Sequence, residues 1–291
     1  MTDPFEAKVL AQMETLRTQG ARAVEAEITA RRVQWLRQNV LPLCAPGTVT
    51  PRRAFELLFF DHMGLDPADL PVVKETEGEI VWRSQNRCPT LEVCRRLGLD
   101  TRHVCRAANE KATQAFLSQL DPQLRFLRSY TEIRPHADYC LERIVRIDFN
   151  ARMRLAIEEA KISQSEGNKG YGAVVVLGDE LLAQAHDTAA TQADPSLHAE
   201  VNAIRLAARR LGDANLSGAV LFSSCEPCPM CSSLAVWANL TTIVYGVSIE
   251  ETARLGKARI MVSAREIVER SPVMVEVVGG VLKEECLALY I

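Results

Sequence analysis

The stretch PSLHAEVNAIRLA (195–207), followed by SSCEPCPMC (223–231), decides the fold of the second half of this chain. After Ser196, apolar residues recur at helical spacing, which places His198 near the start of a helix that ends before Gly212. Cys228 and Cys231 are three residues apart at the start of a second apolar run, so both sulfurs can lie on one helix face. The spacing therefore predicts two helix starts that converge on one point.

The polar side chains at these helix starts suit a hydrolytic zinc site. His198, Cys228 and Cys231 offer one imidazole and two thiolates, while the carboxylate of Glu200 is left unligated and one coordination position is left for water. Each half alone has other interpretations. A Cys-x-x-Cys pair can be a redox couple, half of a structural zinc knuckle or two buried thiols, and a single histidine can be a core residue. Together the two halves predict one Zn²⁺ per chain.

Length and composition favour two domains inside the cell. The chain has 291 residues, of which 47% are hydrophobic, enough for two cores. There is no run of 18 apolar residues, and the N-terminal MTDPFEAKVL lacks the basic and apolar regions of a signal peptide. We therefore expect a soluble cytoplasmic protein without a membrane span. Its nine cysteines are expected to be reduced, with no structural disulfide.

The sequence changes character near Asp148. Residues 1–147 are predicted to form a mostly helical accessory domain, with helical patterns in 4–41, 55–60, 91–97 and 103–120. Residues 148–291 alternate helices and strands. The predicted helices are 152–165, the two helices of the zinc motif and 260–270, and the predicted strands are 173–177, 181–185, 219–223, 242–247 and 273–278. This alternation indicates a largely parallel sheet with helices on both faces.

Residues 148–291 resemble the cytidine deaminase-like superfamily, on the evidence of SSCEPCPMC and the HAEVNAIRLA helix. Within it they are most similar to bacterial guanine deaminases and to tRNA adenosine deaminases. The resemblance implies an α/β fold: a three-layer α/β/α domain with a five-stranded mixed sheet. A helix around 250–270 would make the fifth strand parallel, as in that branch. The chain would then be a zinc-dependent deaminase, an aminohydrolase that acts on the C–N bonds of cyclic amidines.

The resemblance also implies the chemistry. His198, Cys228 and Cys231 would hold Zn²⁺, which lowers the pKa of a bound water from 15.7 to about 7. Glu200 would be the catalytic residue: it would take the water proton, pass it to a ring nitrogen and finally protonate the leaving amine. The products would be a carbonyl and ammonia. The alternative for Glu200 is a solvated glutamate on a helix face.

Several substrate contacts follow from the same resemblance. Gly172 and Ala173 fall where the family's backbone lines the pocket, and glycine permits close approach to a ligand. Tyr171 stands where relatives commonly have Phe, and a core aromatic is the alternative. Asp187, eleven residues before His198, stands where relatives usually have Asn. A carboxylate only accepts hydrogen bonds, so the substrate should present N–H donors there, unless Asp187 is an exposed loop residue.

The pocket prediction ends with Trp237, six residues after Cys231. In guanine deaminases a Trp at this place lines the pocket, whereas a helix-borne Trp is equally often a core residue. We therefore carry both interpretations of Trp237 forward.

Charge separates the candidate substrates. Residues 148–291 contain 13 Lys and Arg against 18 Asp and Glu, a net charge of −5, and residues 1–147 contain 21 against 19, a net charge of +2. A tRNA-binding protein is expected to have a clustered basic surface. The largest cluster, Arg205, Arg209 and Arg210, is most simply a solvated helix face. We therefore predict a small heterocyclic substrate, a guanine-like nucleobase or related amino-azine, and no nucleic-acid partner. The alternatives are a tRNA adenosine (A-to-I) deaminase and a non-catalytic zinc-binding module.

Residues 1–147 do not indicate a function by themselves. The segments CPTLEVC (88–94) and YCLERI (139–144) resemble 2-aminothiazoline-4-carboxylate hydrolase-like proteins, without carrying catalytic residues over. A homodimer is expected, and this domain would support dimerisation, cap the pocket or deliver a substrate. Its cysteines and histidines are either a second metal site or small core residues, the latter favoured by their irregular spacing: Cys88, Cys94, Cys105, Cys140, His103 and His136.

Overall fold

The computed structural model describes residues 3–42, 49–271, 273 and 275–291. It divides into two compact units, Met1–Ile147 and Asp148–Ile291. Within the described residues, none of the helices combines the length and apolar character that a membrane crossing needs. The eight cysteines among them are all unpaired.

The N-terminal unit contains the helices that its sequence predicts. The long pattern over 4–41 is two helices, because the backbone at Gly20 adopts φ 82°, a left-handed conformation that ends the first helix. π-Helical turns at Leu57–His62 and Cys105–Glu110 extend α3 and join α5 to α6, and a 3₁₀ turn lies at Pro67–Asp69. The helices are α1 (Pro4–Gln19), α2 (Ala21–Asn39), α3 (Pro51–Glu56), α4 (Pro89–Leu97), α5 (Thr101–Val104) and α6 (Lys111–Leu120).

The N-terminal unit also contains a four-stranded antiparallel sheet, which the sequence did not predict. Its strands are β1 (Val72–Glu75), β2 (Glu79–Ser84), β3 (Leu124–Arg128) and β4 (Cys140–Arg146), in the order β1-β2-β4-β3. Buried charged side chains interrupt the alternation in LRFLR (124–128) and CLERIVR (140–146). The description of residues 1–147 as mostly helical therefore needs this correction, because alternation is the signal that identifies a half-buried strand.

The C-terminal unit alternates helices and strands as predicted. Its elements are α7 (Phe149–Ser165), β5 (Gly172–Leu177), β6 (Glu180–His186), α8 (Ala199–Leu211), β7 (Ala219–Cys225), α9 (Pro229–Trp237), β8 (Thr242–Val247), α10 (Ile249–Arg254), α11 (Ala264–Glu269), β9 (Glu276–Val278) and α12 (Lys283–Leu287). The expected helix over 260–270 begins later, at Ala264, and the last strand begins at Glu276.

The sheet of this unit is mixed, with strand order β6-β5-β7-β8-β9. β5 pairs antiparallel with β6 and β7, whereas β7–β8 and β8–β9 are parallel. The five-stranded mixed sheet and its parallel fifth strand are confirmed, but the expectation of a largely parallel sheet was wrong. The hairpin β5–β6 accounts for the difference, because a tight connection joins strands in opposite directions.

Alternation along the central strand β7 separates two helical layers. All seven β7 residues are buried. Leu221 belongs to the core cluster shared with α8 and α9, while the ring of Phe222 makes an edge contact with Phe149 of α7, at 5.3 Å between centroids. Successive side chains of a strand point to opposite faces, so α7 covers one face and α8 with α9 the other. The β7–α9–β8 crossover places the start of α9 at the carboxyl ends of these parallel strands, where α/β folds place their sites.

Candidate active site

Three ligating side chains converge at the starts of α8 and α9. His198 is the residue before α8, Cys228 is the residue before α9, and Cys231 lies in the first turn of α9. The Nδ1 atom of His198 is 3.6 Å from Sγ of Cys228 and 3.5 Å from Sγ of Cys231. The two sulfurs are 3.6 Å apart. The convergence predicted from the motif spacing is therefore present.

These separations fit a zinc ion. Tetrahedral coordination with Zn–S bonds of about 2.3 Å and Zn–N bonds of about 2.0–2.1 Å places two sulfurs about 3.8 Å apart, and sulfur and nitrogen about 3.6 Å apart. The three measured separations lie within 0.2 Å of these values. Across the described part of the chain, no other group of three or more His, Cys, Asp or Glu side chains is close enough to share a metal ion. The cysteines of the N-terminal unit thus do not form a second metal site there.

The electrostatics of the cluster favour a thiolate at Cys228. Its hydrogen bond with Cys231 and its contact with His198 lower the pKa of the Cys228 thiol to about 4. The same hydrogen bond and burial raise the pKa of Cys231, so the first proton is lost from Cys228. The hydrogen bond with Cys228 also raises the pKa of His198. A thiolate is the form of cysteine that binds metals, so the site is prepared to take a cation.

Glu200 lies beside the cluster without being part of the ligand set. It is the second residue of α8, its side chain is buried, and its Oε1 accepts a hydrogen bond of 3.2 Å from the hydroxyl of Ser223 on β7. Burial raises the pKa of the Glu200 carboxyl. The interpretation of Glu200 as a solvated helix-face residue is excluded. A buried carboxyl with a raised pKa can both hold and release a proton, as a general acid–base catalyst must.

Asp187 is fully buried directly after β6. Its backbone N–H donates to the carbonyl of Tyr171 at 2.9 Å, and its carbonyl accepts from the hydroxyl of Ser163 at 2.9 Å. Of its carboxylate oxygens, Oδ1 accepts from the N–H of Ala189 at 3.2 Å, whereas the buried Oδ2 has no hydrogen-bond partner among the described residues. The interpretation of Asp187 as an exposed loop residue is therefore excluded.

Asn202 holds the loop that joins Asp187 to His198. Its Nδ2 atom lies 2.9 Å from the carbonyl of His186, 3.2 Å from the hydroxyl of Thr188 and 3.3 Å from the carbonyl of Leu197. Sequence analysis did not single out Asn202, although its place one turn after His198 on the same helix face was a usable signal. It fixes the position of the loop relative to α8.

Tyr171, Gly172 and Ala173 lie where β5 begins. The half-buried ring of Tyr171 stacks on Tyr290, with centroids 5.3 Å apart, and its hydroxyl hydrogen-bonds the guanidinium of Arg259. A side chain at Gly172 would meet the carbonyl of Ala156 in α7 at 2.0 Å. Packing against α7 is thus one reason for glycine at position 172, and the expected approach of its backbone to a ligand stays a prediction. Ala173 lies on the opposite face, in the core shared with α8 and α9.

Trp237 lies apart from the ligand cluster. It is the last residue of α9, and its side chain is 73% exposed. Nine helical residues span about 13 Å, so Trp237 and Cys228 occupy opposite ends of the helix. The interpretation of Trp237 as a core residue was therefore wrong, and its role in a substrate pocket stays a prediction.

Glu226, within the CEPC segment, was missed by sequence analysis. Its buried carboxylate accepts the backbone N–H of Ile249 at one oxygen and that of Ala264 at the other, both at 2.9 Å. These are the first residues of α10 and α11, so one side chain satisfies two helix starts two residues before Cys228. It couples the position of the zinc-binding turn to that of the helices that follow β8.

A cavity of about 610 Å³ lies elsewhere, along the edge strand β6. Arg205 and Arg209 of α8 line it together with His186, whose ring nitrogens lie 2.7 Å and 2.9 Å from carboxylate oxygens of Glu159 and Glu166. None of the zinc ligands contributes to this cavity. Its position on the outside of the sheet agrees with the solvated face expected for these arginines.

Comparison with known proteins identifies the segment that carries the site. Residues 148–247 match the family described as "Cytidine and deoxycytidylate deaminase zinc-binding region". The matched segment contains the histidine, both cysteines and the buried glutamate of the cluster.

Two curated relatives are of different kinds. A tRNA-specific adenosine deaminase of Bacillus subtilis (strain 168) is 36% identical over 134 residues, which is 46% of this chain and 81% of that protein. A guanine deaminase of the same organism is 38% identical over 86 residues, 30% of this chain and 55% of that protein. Among solved structures, a tRNA:A34 deaminase from a study of A-to-I editing is 27% identical, with a TM-score of 0.43 over 48% of this chain and 98% of the other.

Proposed function

Because this chain belongs to the cytidine and deoxycytidylate deaminase zinc-binding family, we propose that residues 148–291 form a zinc-dependent deaminase domain for a small nitrogen heterocycle. The amino group of a guanine-like nucleobase or related amino-azine is replaced by a carbonyl oxygen from water, and ammonia is released. The observation that carries the proposal is Glu200, a buried carboxyl beside the ligand cluster that takes no part in the ligand set. A non-catalytic zinc module would have no use for it.

In the proposed mechanism the cofactor activates water and the protein transfers protons. His198, Cys228 and Cys231 would hold Zn²⁺, which when bound would supply the Lewis acidity that lowers the pKa of a water molecule from 15.7 to about 7. Glu200 accepts the proton that this water gives up and delivers it to a ring nitrogen, which makes the adjacent carbon electrophilic. Glu200 then takes the remaining proton of the added hydroxyl and gives it to the amine, so that the C–N bond breaks, the carbonyl forms and ammonia leaves. The hydroxyl of Ser223 donates to Oε1 of Glu200, which orients the carboxyl between these transfers.

Asp187 is the residue that would select the substrate, by accepting a hydrogen bond from it. Its buried Oδ2 lacks a hydrogen-bond partner among the residues described, and leaving a charged oxygen in that state costs free energy. A substrate N–H would satisfy it. This supports a substrate that presents an amino or amidine N–H at that point, because a carboxylate cannot donate to a carbonyl.

The charge of residues 148–291 supports a small substrate over RNA. Their net charge is −5, from 13 basic and 18 acidic residues, and tRNA binding depends on neutralising phosphates. Arg210, the third arginine of the basic group on α8, is paired with Glu180 at 2.7 Å. The second candidate, tRNA adenosine deamination, is favoured by the longer match to the tRNA-specific relative, which spans 81% of that protein.

A homodimer is part of the proposal. Met230 and Trp237 are seven residues apart on α9 and are 40% and 73% exposed, so one helix face presents apolar surface to the solvent. Light scattering coupled to gel filtration would measure the mass. A monomer at all concentrations tested would remove this part of the proposal and leave the chemistry untouched.

Metal analysis and ammonia release test the proposed activity together. The expected result is one zinc per chain and ammonia released from at least one member of a panel of guanine, adenine, cytosine, their nucleosides, other amino-azines and a tRNA substrate. Glu200→Gln serves as the inactive control. Activity on tRNA alone would establish the second candidate function, tRNA adenosine deamination. Zinc binding without ammonia release from any substrate would contradict the proposed deaminase activity.

Residues 1–147 are proposed to be a separate accessory domain, since every ligand of the zinc cluster comes from residues 148–291. A fragment that begins at Asp148 is expected to bind one zinc per chain. Failure of that fragment to bind zinc while folded would contradict this division of the chain.

A further inference from the structure

The inner face of the N-terminal sheet changes from apolar to charged along its length. Ile80, Phe126 and Ile144 are buried in the core of this unit. Two residues further along each strand, on the same face, Glu142 of β4 stands opposite Arg128 of β3. Cross-strand partners lie on the same face of a sheet, so these charges continue the buried surface.

Glu142 is fully engaged by its neighbours. Its Oε1 accepts from Nε of Arg128 at 2.8 Å, and its Oε2 accepts from Nε1 of Trp82 at 3.0 Å and from the hydroxyl of Ser84 at 2.6 Å. This carboxylate therefore compensates one guanidinium and has little capacity for more.

Arg128 and two further arginines each keep one buried donor without a partner among the described residues. The side chain of Arg128 is only 10% exposed, and its Nη1 is buried without a hydrogen bond to any residue the structure describes. The same holds for Nε of Arg106 and Nε of Arg134. We call Arg106, Arg128 and Arg134 the guanidinium cluster.

Two contacts connect Arg106 and Arg134 to the surroundings of the Arg128–Glu142 pair. The Arg106 guanidinium lies 4.1 Å from the centre of the ring of Tyr130, which is two residues after Arg128. Nη1 of Arg134 donates to the carbonyl of Asn86 at 2.9 Å, two residues after Ser84, whose hydroxyl donates to Glu142. The π-helical turn Cys105–Glu110 carries Arg106, and such turns recur at functional sites.

Cations exceed anions in this cluster. With the neighbouring Arg32 and Lys111, the three arginines make five cations against three carboxylates, those of Glu142, Glu110 and Glu25. Burial raises the pKa of Glu110, whose carboxylate accepts a hydrogen bond from the Tyr130 hydroxyl. The thiols add no negative charge, because burial raises the pKa of Cys88 and takes that of Cys105 to about 12. A buried excess of positive charge is unfavourable unless an anion compensates it.

We propose that the guanidinium cluster binds the oxyanion group of a small molecule, a carboxylate or a phosphate, independently of the zinc site. Planar guanidinium groups are the preferred protein donors to such groups. Three buried N–H groups that lack partners match the lone pairs that one oxyanion offers. Among the described residues, no three ligating side chains of this region are close enough to share a metal ion, which favours an anion as the ligand.

The test uses ¹⁹F NMR of trifluoroacetate with the full-length protein at constant ionic strength. The wild type is expected to broaden the ¹⁹F line, and Arg128→Gln to weaken the apparent affinity by at least about 10-fold. Arg53→Gln, an exposed arginine of the same unit paired with Glu56 and Asp61, is the matched control and should behave as the wild type. Competition with acetate and with inorganic phosphate then distinguishes a carboxylate site from a phosphate site.

Two further variants keep the proposal open to refutation if Arg128→Gln does not fold. Arg106→Gln and Arg134→Gln each remove one of the same donors, and zinc content with circular dichroism shows whether a variant is folded. Equal broadening by the wild type and by all folded variants would overturn the proposal, as would no broadening by the wild type. Because the zinc site is intact in every variant, its own binding of trifluoroacetate is a constant background.

Discussion

The zinc cluster and the guanidinium cluster are both polar sites inside the protein, but they balance their charges differently. At the zinc cluster, two thiols and one imidazole lie at the separations that a divalent cation requires, and the neighbouring acid Glu200 is left for catalysis. At the guanidinium cluster the protein supplies more cations than anions, and the carboxylate of Glu142 already accepts hydrogen bonds from Arg128 and Trp82. The comparison teaches that the sign of the uncompensated charge indicates the ligand: a cation for the first cluster and an anion for the second.

The largest expected effect separates the two groups of cysteines. Cys231→Ala should lose the zinc and reduce ammonia release to background, because two ligands cannot retain the metal in a tetrahedral site. Cys105→Ala removes an equally buried thiol of the N-terminal unit and should keep one zinc per chain. Elemental analysis of both proteins makes the comparison. Retention of zinc by Cys231→Ala would contradict the assignment of Cys231 as a zinc ligand.

The next effect separates proton transfer from metal binding. Glu200→Gln should bind zinc and fold normally yet lose about 10²- to 10⁴-fold in kcat, since the amide cannot carry the proton. Glu158→Gln on α7 is the control, an exposed glutamate paired with Lys161. Steady-state ammonia release and zinc content are the measurements. A folded Glu200→Gln protein with near-normal kcat would assign the proton transfer to another group.

A smaller effect on catalysis is expected from substitutions of Asp187. Like Arg128, Asp187 keeps a buried polar atom without a partner among the described residues, but its charge is negative. Asp187→Ala should lower kcat/KM by about 10- to 150-fold, because the substrate N–H loses its acceptor. Asp187→Asn should shift the ranking towards substrates that offer an acceptor, such as guanine or a nucleoside. The ratio of kcat/KM values across the substrate panel is the measurement. An unchanged ratio in both variants would make the buried carboxylate a structural group.

The smallest effect on catalysis is expected at Glu226, a buried acid that is fully satisfied. Glu226→Gln retains only one acceptor for two backbone N–H groups, so the free energy of unfolding should fall by about 1 to 3 kcal/mol. Zinc content should be normal and kcat/KM should change only a few-fold. Urea unfolding followed by circular dichroism is the measurement, with Glu250→Gln on the exposed face of α10 as the control. A stability equal to that of the wild type would show that the two helix starts do not depend on this carboxylate.

The sequence was sufficient where neighbours along the chain also become neighbours in space. The helix starts at His198 and Cys228 follow from local spacing, and so does the position of Glu200. It was insufficient where distant strands share a face. The guanidinium cluster combines residues from β3, from a turn before α6 and from the segment before β4, and the buried charges of β3 conceal the alternation that would have identified a strand. Likewise, the need for Gly172 comes from the backbone of α7, which no local pattern describes.

The three tryptophans make the two units distinguishable by fluorescence. Trp82 is fully buried in the N-terminal unit and Trp35 is partly buried there, whereas Trp237, the single indole of the C-terminal unit, is 73% exposed. In a single chain, an indole already in water changes its emission little when the chain unfolds. A thermal melt recorded by tryptophan emission would therefore report the N-terminal unit and overlook the loss of the zinc-binding unit. In the folded protein, quenching by iodide would report Trp237 selectively, which makes its emission a probe for anything that covers the end of α9.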